Sequence, residues 1–467
     1  MGIWRNSDSY FAVSSRSAIE ATTRVLDSAK VLARPCCSLA LSHVFLGLFL
    51  CGLTHNEASA QAKATSESIG SPSEPSKLLP EIEQRTRQND SLLGISPLGS
   101  FRGSLNEAKD EIYEATGLSF GLAFTHVFQA ISDSLPNQDK RGMATTADAL
   151  ASWDLIDRGG PYLGQAVAHV QSRWHYGTTG PEALGFESLG SAIGTADTFD
   201  EYEPDKFVLR NLYWRQGSPE AGWGYRVGKI TPDGLLASSK YLDSQTTFLP
   251  SGGVSALAVA FPDSGLGGIA GWYPTKNLAL VGLVSDANAD RFNFGDPDEG
   301  DLFAGGEFQF RIAPKTPDAG FSKITLWHTD GTKDNSPINA MLGPAGWGYF
   351  LKLEQELTSD GRLIGIARFG ESYDNSAFYE RQAGLHLLLK EPRFVTRLEN
   401  DLIGGALNWA KATDPSARDE YNAEVFYRFP LVPEVDTTLS YQSVFRPAFT
   451  RDIDQASVFS LRIRAAF

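Results

Sequence analysis

The segment Ser457-Val-Phe-Ser-Leu-Arg-Ile-Arg-Ala-Ala-Phe467 sets Arg462 and Arg464 in strict alternation with Phe459, Leu461, Ile463, Ala465 and Phe467. A period of two marks a β-strand, whose successive side chains point to opposite faces. One face here is hydrocarbon and the other cationic, so the strand divides two different surroundings. A soluble sheet with one solvated face meets that description, and so does a membrane barrel with lipid outside and a water-filled lumen inside.

Working outward, the same alternation recurs. In Gly306-Glu-Phe-Gln-Phe-Arg-Ile312, Glu307, Gln309 and Arg311 face away from Phe308, Phe310 and Ile312. In Phe350-Leu-Lys-Leu-Glu-Gln-Glu-Leu357, Lys352, Glu354 and Glu356 oppose Leu351, Leu353 and Leu357. The run 393–402 sets Arg393, Arg397, Glu399 and Asp401 against Phe394, Leu398 and Leu402, and 422–429 sets Asn422, Glu424 and Arg428 against Val425, Tyr427 and Phe429. Segments of this kind, broken by Gly, Pro, Asp and Asn, fall at 117–131, 143–156, 161–176, 206–216, 222–230, 252–261, 265–273, 277–285, 304–313, 321–329, 346–357, 362–370, 379–390, 393–403, 421–429, 435–445 and 456–467. Bacterial membrane barrels close with even numbers of strands. The expected fold is therefore an all-β transmembrane antiparallel barrel over 117–467, of about 16 strands with 18 as the alternative.

Strand ends separate the barrel from a soluble sandwich. Trp214, Trp223, Tyr225, Trp272, Tyr273, Trp327, Trp347, Tyr349, Phe369, Tyr373, Phe378, Tyr379, Phe429, Phe445 and Phe449 gather there, as girdles at two membrane interfaces would. No window of about 20 apolar residues occurs, which excludes a helical membrane span. The apolar run Ser38–Cys51 followed by Ala58-Ser-Ala60 reads as a secretory leader, giving a 1–60 pre-sequence cleaved after Ala60. All three cysteines, Cys36, Cys37 and Cys51, lie in that segment, so neither a disulfide framework nor thiol chemistry is expected beyond it. Residues 61–100, rich in Ser, Pro and charge, read as a disordered periplasmic linker, and 101–116 as a short periplasmic helix capped by Ser104 and ended by Gly117. The formal net charge of −15 argues against nucleic acid as a partner.

Several stretches then resemble one family. Tyr225-Arg-Val-Gly-Lys-Ile-Thr-Pro-Asp233, Gln245-Thr-Thr-Phe248, Gly265-Leu-Gly-Gly-Ile-Ala-Gly-Trp-Tyr-Pro274, Gly346–Gln355, Ile366–Gly370, Asn400–Ala406, Glu420–Arg428 and Tyr441–Pro447 occur in an order that resembles the OprB family of carbohydrate-selective porins, over most of Ser100 to Phe467. Arg446-Pro447 stands where that family commonly has Asn-Pro. The resemblance implies an outer-membrane porin of a Gram-negative bacterium passing mono- or small oligosaccharides, with short periplasmic turns, longer outer loops and a lumen narrowed by loops folding in. Segments 177–205 and 286–303 are the expected inward loops. A strand ending on Phe467 resembles the terminal signal read by the barrel-assembly machinery.

A neutral sugar asks for hydrogen-bonding groups that replace its hydration and aromatic faces for its C–H surfaces, with both signs of charge across the lumen. Arg215, Glu307, Arg311, Glu354, Arg368, Arg397, Glu399, Asp401, Glu424 and Arg428 are the candidate pore-lining residues. Trp174 and Trp214 are candidate sugar platforms, with girdle or loop packing as the plainer role. Outer-membrane lipid and a homo-oligomer are expected partners; no cofactor, metal or catalytic residue is expected. A barrel hydrolase and an adhesive or structural surface barrel stand as alternatives. His126, His169, His175, His328 and His386 form no H-E-x-x-H or H-x-x-E-H arrangement, and no G-x-S-x-G elbow occurs. The cluster Gly265-Leu-Gly-Gly-Ile-Ala-Gly271 lies in a strand pattern without a following helix, which suits barrel curvature rather than phosphate.

Overall fold

The computed structural model describes residues 69–467 apart from 88–89, 178, 198–206, 296–297, 299, 318, 332–342, 393–397 and 399. The leader with its cleavage site at Ala60, and the candidates Arg397 and Glu399, lie outside the described residues. The strands are β1 (Leu118–Ile131), β2 (Arg141–Ile156), β3 (Gly164–His175), β4 (Phe207–Ser218), β5 (Trp223–Ile230), β6 (Gly265–Thr275), β7 (Leu278–Asp286), β8 (Leu302–Phe310), β9 (Ser322–Gly331), β10 (Pro344–Glu356), β11 (Leu363–Ser372), β12 (Tyr379–Lys390), β13 (Leu402–Ala412), β14 (Glu420–Val432), β15 (Val435–Phe445) and β16 (Gln455–Ala466). Each pairs antiparallel with its chain neighbours, and β1 pairs with β16 to close a sixteen-strand barrel. Closure removes every sheet edge, the requirement for strands in lipid.

The alternation of β16 resolves as two faces of a wall. Phe459 is 56% and Ile463 38% exposed outside, whereas Arg462 and Arg464 are 1% and 4% exposed inside. Leu326, Leu385, Leu407, Val425 and Leu439 extend the outer apolar band. Trp223 pairs with Trp272 at one end of the barrel, and Trp347 stacks on Tyr373 at 4.4 Å at the other. Trp327 and Tyr273, which the sequence groups with the girdles, are buried on the inner face instead.

Tight connections such as 219–222, 276–277 and 433–434 lie at the same end as the start of β1 and the end of β16, and the long 176–206, 231–264 and 287–301 lie at the other. In outer-membrane barrels these are the periplasmic and outer ends respectively.

The inside is filled differently from expectation. Residues 252–261 are not a strand: they hold a short helix, Ser251–Val254, within the β5–β6 connection 231–264, here the inner loop, which folds into the lumen. Its Leu235, Leu236, Leu242, Phe248 and Leu249 are buried. The first four pack on inward apolar residues of the wall, including Phe303, Trp327, Phe350, Ile364, Ile366, Leu388 and Phe426, and Leu249 on Val127 and Ala144. Phe248 meets Phe426 edge to face at 4.9 Å, and Gly404 leaves room for that pair, since a Cβ there would lie 2.2 Å from the Phe426 ring.

Of the expected segment 393–403, only Leu402 and Ile403 fall in a described strand, β13, whose inward residues Gly404, Ala406, Asn408 and Ala410 are small because the inner loop lies against them. Of the two expected inward connections, 181–197 does enter, burying Leu184, Leu189 and Ile193. The 287–301 connection instead lies over the inner loop, with Arg291 paired to Asp263.

The expected linker is also partly ordered. α1 (Pro75–Thr86) starts on Pro75, is capped by the Glu74 carboxylate on the Ser76 N–H at 3.0 Å, and buries Leu78, Leu79 and Ile82 inside the barrel against Ala123, Leu150 and Ala466. α2 (Gly99–Thr116) begins before Ser104, stays largely exposed, and ends on left-handed Gly117. Thus α1, rather than the helix anticipated from sequence, occupies the mouth.

Candidate functional site: the narrowed lumen

The inner loop is stitched to the wall by charged side chains aimed at its backbone. Glu307 accepts from the Ala237 N–H at 2.6 Å and pairs with Lys323 at 3.2 Å. Lys352 donates to the Ser238 carbonyl at 2.9 Å and to Glu354 at 2.8 Å, and Glu354 also accepts from the Ser239 hydroxyl. Arg428 donates to the Thr246 carbonyl at 2.8 Å, and Arg462 to those of Ser244 and Thr247 at 2.7 and 2.9 Å. Glu424 accepts from the Leu249 N–H at 3.2 Å. Arg368 donates to Gly252 at 2.7 Å and to Val254 and Ser255 at 3.3 Å. A backbone folded into a barrel must find partners for its N–H and C=O groups, and these charges supply them.

Of the candidates, Glu307, Glu354, Arg368, Glu424 and Arg428 therefore lie on the inner face but under the inner loop rather than on open lumen. Arg311 sits in the β8–β9 turn, its guanidinium 4.0 Å from the Phe321 ring centre. Asp401 stands at the start of β13 and accepts from Tyr427 at 2.9 Å. Arg215 lines a small crevice beside Ile69 and Tyr225.

The main cavity, about 380 Å³, lies between the inner loop and the wall of β3 and β4. Its wall side carries a hydrogen-bonded ladder. His169 Nε2 meets Asp148 at 2.8 Å and its Nδ1 meets the Asn211 amide at 3.3 Å; Gln171 donates to Asp148 at 2.7 Å and accepts from Arg173 at 2.9 Å. Both imidazole nitrogens are thus engaged, an orienting arrangement rather than a free base. The loop side presents Ser238, Ser239, Asp243, Ser244 and Gln245, and the outer end Asp197, Arg210 and Asp233.

Burial raises the Asp243 carboxyl above its ordinary value, against the pull of Arg464. Burial also raises Asp233, opposed by Arg210 and reinforced by Asp263 and Asp197. For Asp263 burial works the same way, but Arg210 and Arg291 outweigh it and hold the carboxyl below its usual range. Phe186 and Phe378 border the cavity, and both pack on Phe449, at 6.1 and 5.7 Å between ring centres. Sequence reasoning missed this lining because it comes largely from connections, where no period exists to flag it. Among the described residues no group of His, Cys, Asp or Glu side chains is placed to hold a metal.

A closed sixteen-strand barrel with an apolar outer band, aromatic ends and a lumen narrowed by an inward loop is a porin-type channel. The family model "Carbohydrate-selective porin, OprB family" matches residues 190–467, and the chain belongs to that family. It is accordingly a carbohydrate diffusion channel, and family and fold together imply the outer membrane of a Gram-negative bacterium and point to a channel rather than an enzyme. In fold it is similar to Pseudomonas putida OprB in its high-pH structure, with TM-score 0.62 at 14% identity over 78% of this chain and 97% of that one. The low-pH structure of P. putida OprB gives TM-score 0.48 at 13% identity over 78% and 97%, and a triple-mutant Rhodopseudomonas blastica porin 0.43 at 10% over 75% and 100%. No curated protein matches the chain.

Proposed function

We propose that neutral mono- and small oligosaccharides pass through the cavity between the inner loop and the β3–β4 wall, hydrated on one side by Gln171, Arg173 and Asn211 and on the other by Ser238, Ser239 and Gln245. The observation that carries this reading is the mixed lining of that cavity: hydroxyls, amides and charges of both signs, with the Phe186 and Phe378 rings at its edge. Sugar hydroxyls exchange water for these groups while C–H faces meet the rings, so no covalent step is involved. The cavity holds on the order of ten waters at liquid density, room for a sugar of modest size.

The charged set under the inner loop has a supporting role, since it fixes the loop that bounds the cavity. Outer-membrane lipid contacts the apolar band, a leader cleaved after Ala60 delivers the chain, and the assembly machinery reads the strand ending on Phe467. Liposomes containing the purified barrel are expected to swell in sugars up to a sharp size limit, with small ion conductance in planar bilayers. Sealed liposomes that hydrolyse a glycoside or ester would overturn the reading.

A further inference from the structure

The segment running into α1 crosses the periplasmic mouth as a chord. At one end Ile69 joins the apolar cluster that holds Ile269 and Tyr273, and Glu74 pairs with Arg226 at 2.8 Å while accepting from the Tyr213 hydroxyl. At the other end Glu81 pairs with Arg464 at 2.9 Å and with Arg85 at 3.1 Å, and Arg85 with Asp436. Between them the helix covers about 18 Å at 1.5 Å per residue, with Leu79 and Ile82 seated on Gly121. Gly121 is what permits that seat, because a Cβ there would stand 2.9 Å from Ile82 Cγ2.

The chord also touches the inner loop. The Ser71 N–H donates to the Gly234 carbonyl at 2.7 Å, and the Ser73 hydroxyl donates to Asp243. Ser71, Ser73, Glu74 and Pro75 consequently form part of the lining of the main cavity. The chord itself, residues 69–86, lies outside the residues matched by the family model, while its ion-pair partners Arg226, Asp436 and Arg464 lie within them.

Resting on the channel reading above, we propose that α1 is a fixed size filter at the periplasmic exit, a specificity element that limits which sugars leave the cavity. Its attachments argue for a fixed part: ion pairs hold both ends and an apolar seat holds the middle. Burial would raise the Glu81 carboxyl, yet Arg464 and Arg85 hold it below its ordinary value, so the pair stays charged at neutral pH.

Two variants of the full chain test this. Leu79→Asp with Ile82→Asp unseats the helix. Ile82→Cys with Gly121→Cys locks it, because the Cβ of residue 121 would lie 3.5 Å from that of residue 82, within the disulfide range of about 3.5–4.5 Å. A heat-modifiable shift in migration between unboiled and boiled protein in detergent gels verifies that each barrel is folded, and liposome swelling is read with a series of malto-oligosaccharides. A fixed filter gives an unseated channel that passes oligosaccharides its parent excludes, and an oxidised lock with the parent's size limit. An unseated channel with the parent's limit would overturn the proposal. So would an oxidised lock that excludes a sugar passed after reduction, because α1 would then be a moving gate. A parent barrel impermeable to every sugar would overturn the channel reading itself.

Discussion

Replacing Arg462 by methionine tests whether the arginine faces water or holds the inner loop. The guanidinium is 1% exposed and donates to two inner-loop carbonyls, Ser244 and Thr247, and to the Thr438 hydroxyl at 3.0 Å. Hydrogen bonds from a charged group contribute roughly 1.5–3 kcal/mol each. Two such bonds to the loop come to about 3–6 kcal/mol, from which the desolvation of a buried cation must be deducted. A net loss of about 3 kcal/mol in loop docking is expected, which raises the detached population about 100-fold.

Proteolysis in the fast-opening regime follows that population. Trypsin at Lys240 and chymotrypsin at Phe248 should therefore cut the Arg462→Met barrel about 100-fold faster than the parent, while unboiled gel migration stays that of a folded barrel. Arg462→Lys, which keeps a charge but not the two-carbonyl fork, should fall between. Cleavage of Arg462→Met at the parent's rate would refute the argument that this arginine fixes the loop.

Four further outcomes follow from the same geometry. Because Glu81 is held below its ordinary value, its contribution to α1 docking is present above the unfolded value near 4.3 and is lost only as pH falls through the lower folded one. Hydrogen-exchange protection of α1 should accordingly stay level from about pH 8 to 5, and a fall by pH 6 would contradict the pairing. Gly404→Val should destabilise the folded barrel by about 1–3 kcal/mol through its clash with Phe426, whereas Gly306→Val, with open space at its Cβ, should not; melting of the unboiled gel band compares them. Deleting Phe467, whose backbone exchanges two 2.8 Å hydrogen bonds with Leu122 and whose ring meets Phe101, should lower outer-membrane abundance in cell fractions without blocking export across the inner membrane. Asp197 and Asp233 at the outer end of the cavity should slow a hexuronate relative to a hexose of equal size in low salt, and Asp197→Asn with Asp233→Asn should narrow the gap in the swelling assay.

The barrel was legible because its wall obeys a period of two, with apolar residues filling most of the lipid-facing positions. Fifteen of the expected segments coincide with strands, 393–403 meets β13 only at Leu402 and Ile403, and 252–261 is a short helix and loop. Residues 252–261 hold an apolar run, Ala256-Leu-Ala-Val-Ala-Phe261, that looks like a strand because the inner loop must satisfy an apolar inner wall. The wall strand 402–412 is built of small inward residues, Gly404 and Ala406, because Phe248 and Phe426 already occupy the space beside them.

A sharper rule would have been available. Ile364 and Ile366 face inward across from Leu363 and Phe369 outward, so β11 is apolar on both faces along part of its length. A barrel strand apolar on both faces is covered on both, by lipid and by something in the lumen, just as parallel strands buried on two sides read as continuous hydrophobic runs. By that rule inward Phe303, Trp327, Phe350 and Phe426 imply an inner plug against β8–β14, which leaves the open lumen on the side of β2–β4. There Asp148, His169, Gln171 and Asn211 face inward, and the cavity is found beside them.

The charged inner face then carries a different meaning from the one alternation suggests. Period-two patterning reports that a face is polar; it does not report whether the polar partner is water or a folded-in backbone. Arg462 and Arg464 are buried to nearly the same degree, yet one reaches the carbonyls of the inner loop and the other both the Glu81 carboxylate of α1 and the Gln245 side chain of the inner loop. A guanidinium suits both tasks because its several N–H donors spread over a planar fork that can serve two acceptors at once. The strand that closes the barrel therefore also grips the two elements that narrow it, which couples closure of the wall to the size of the opening. Substituting Arg462 should loosen the inner loop, whereas substituting Arg464 should loosen α1 together with the loop at Gln245, so their effects on the size limit should depart from additivity.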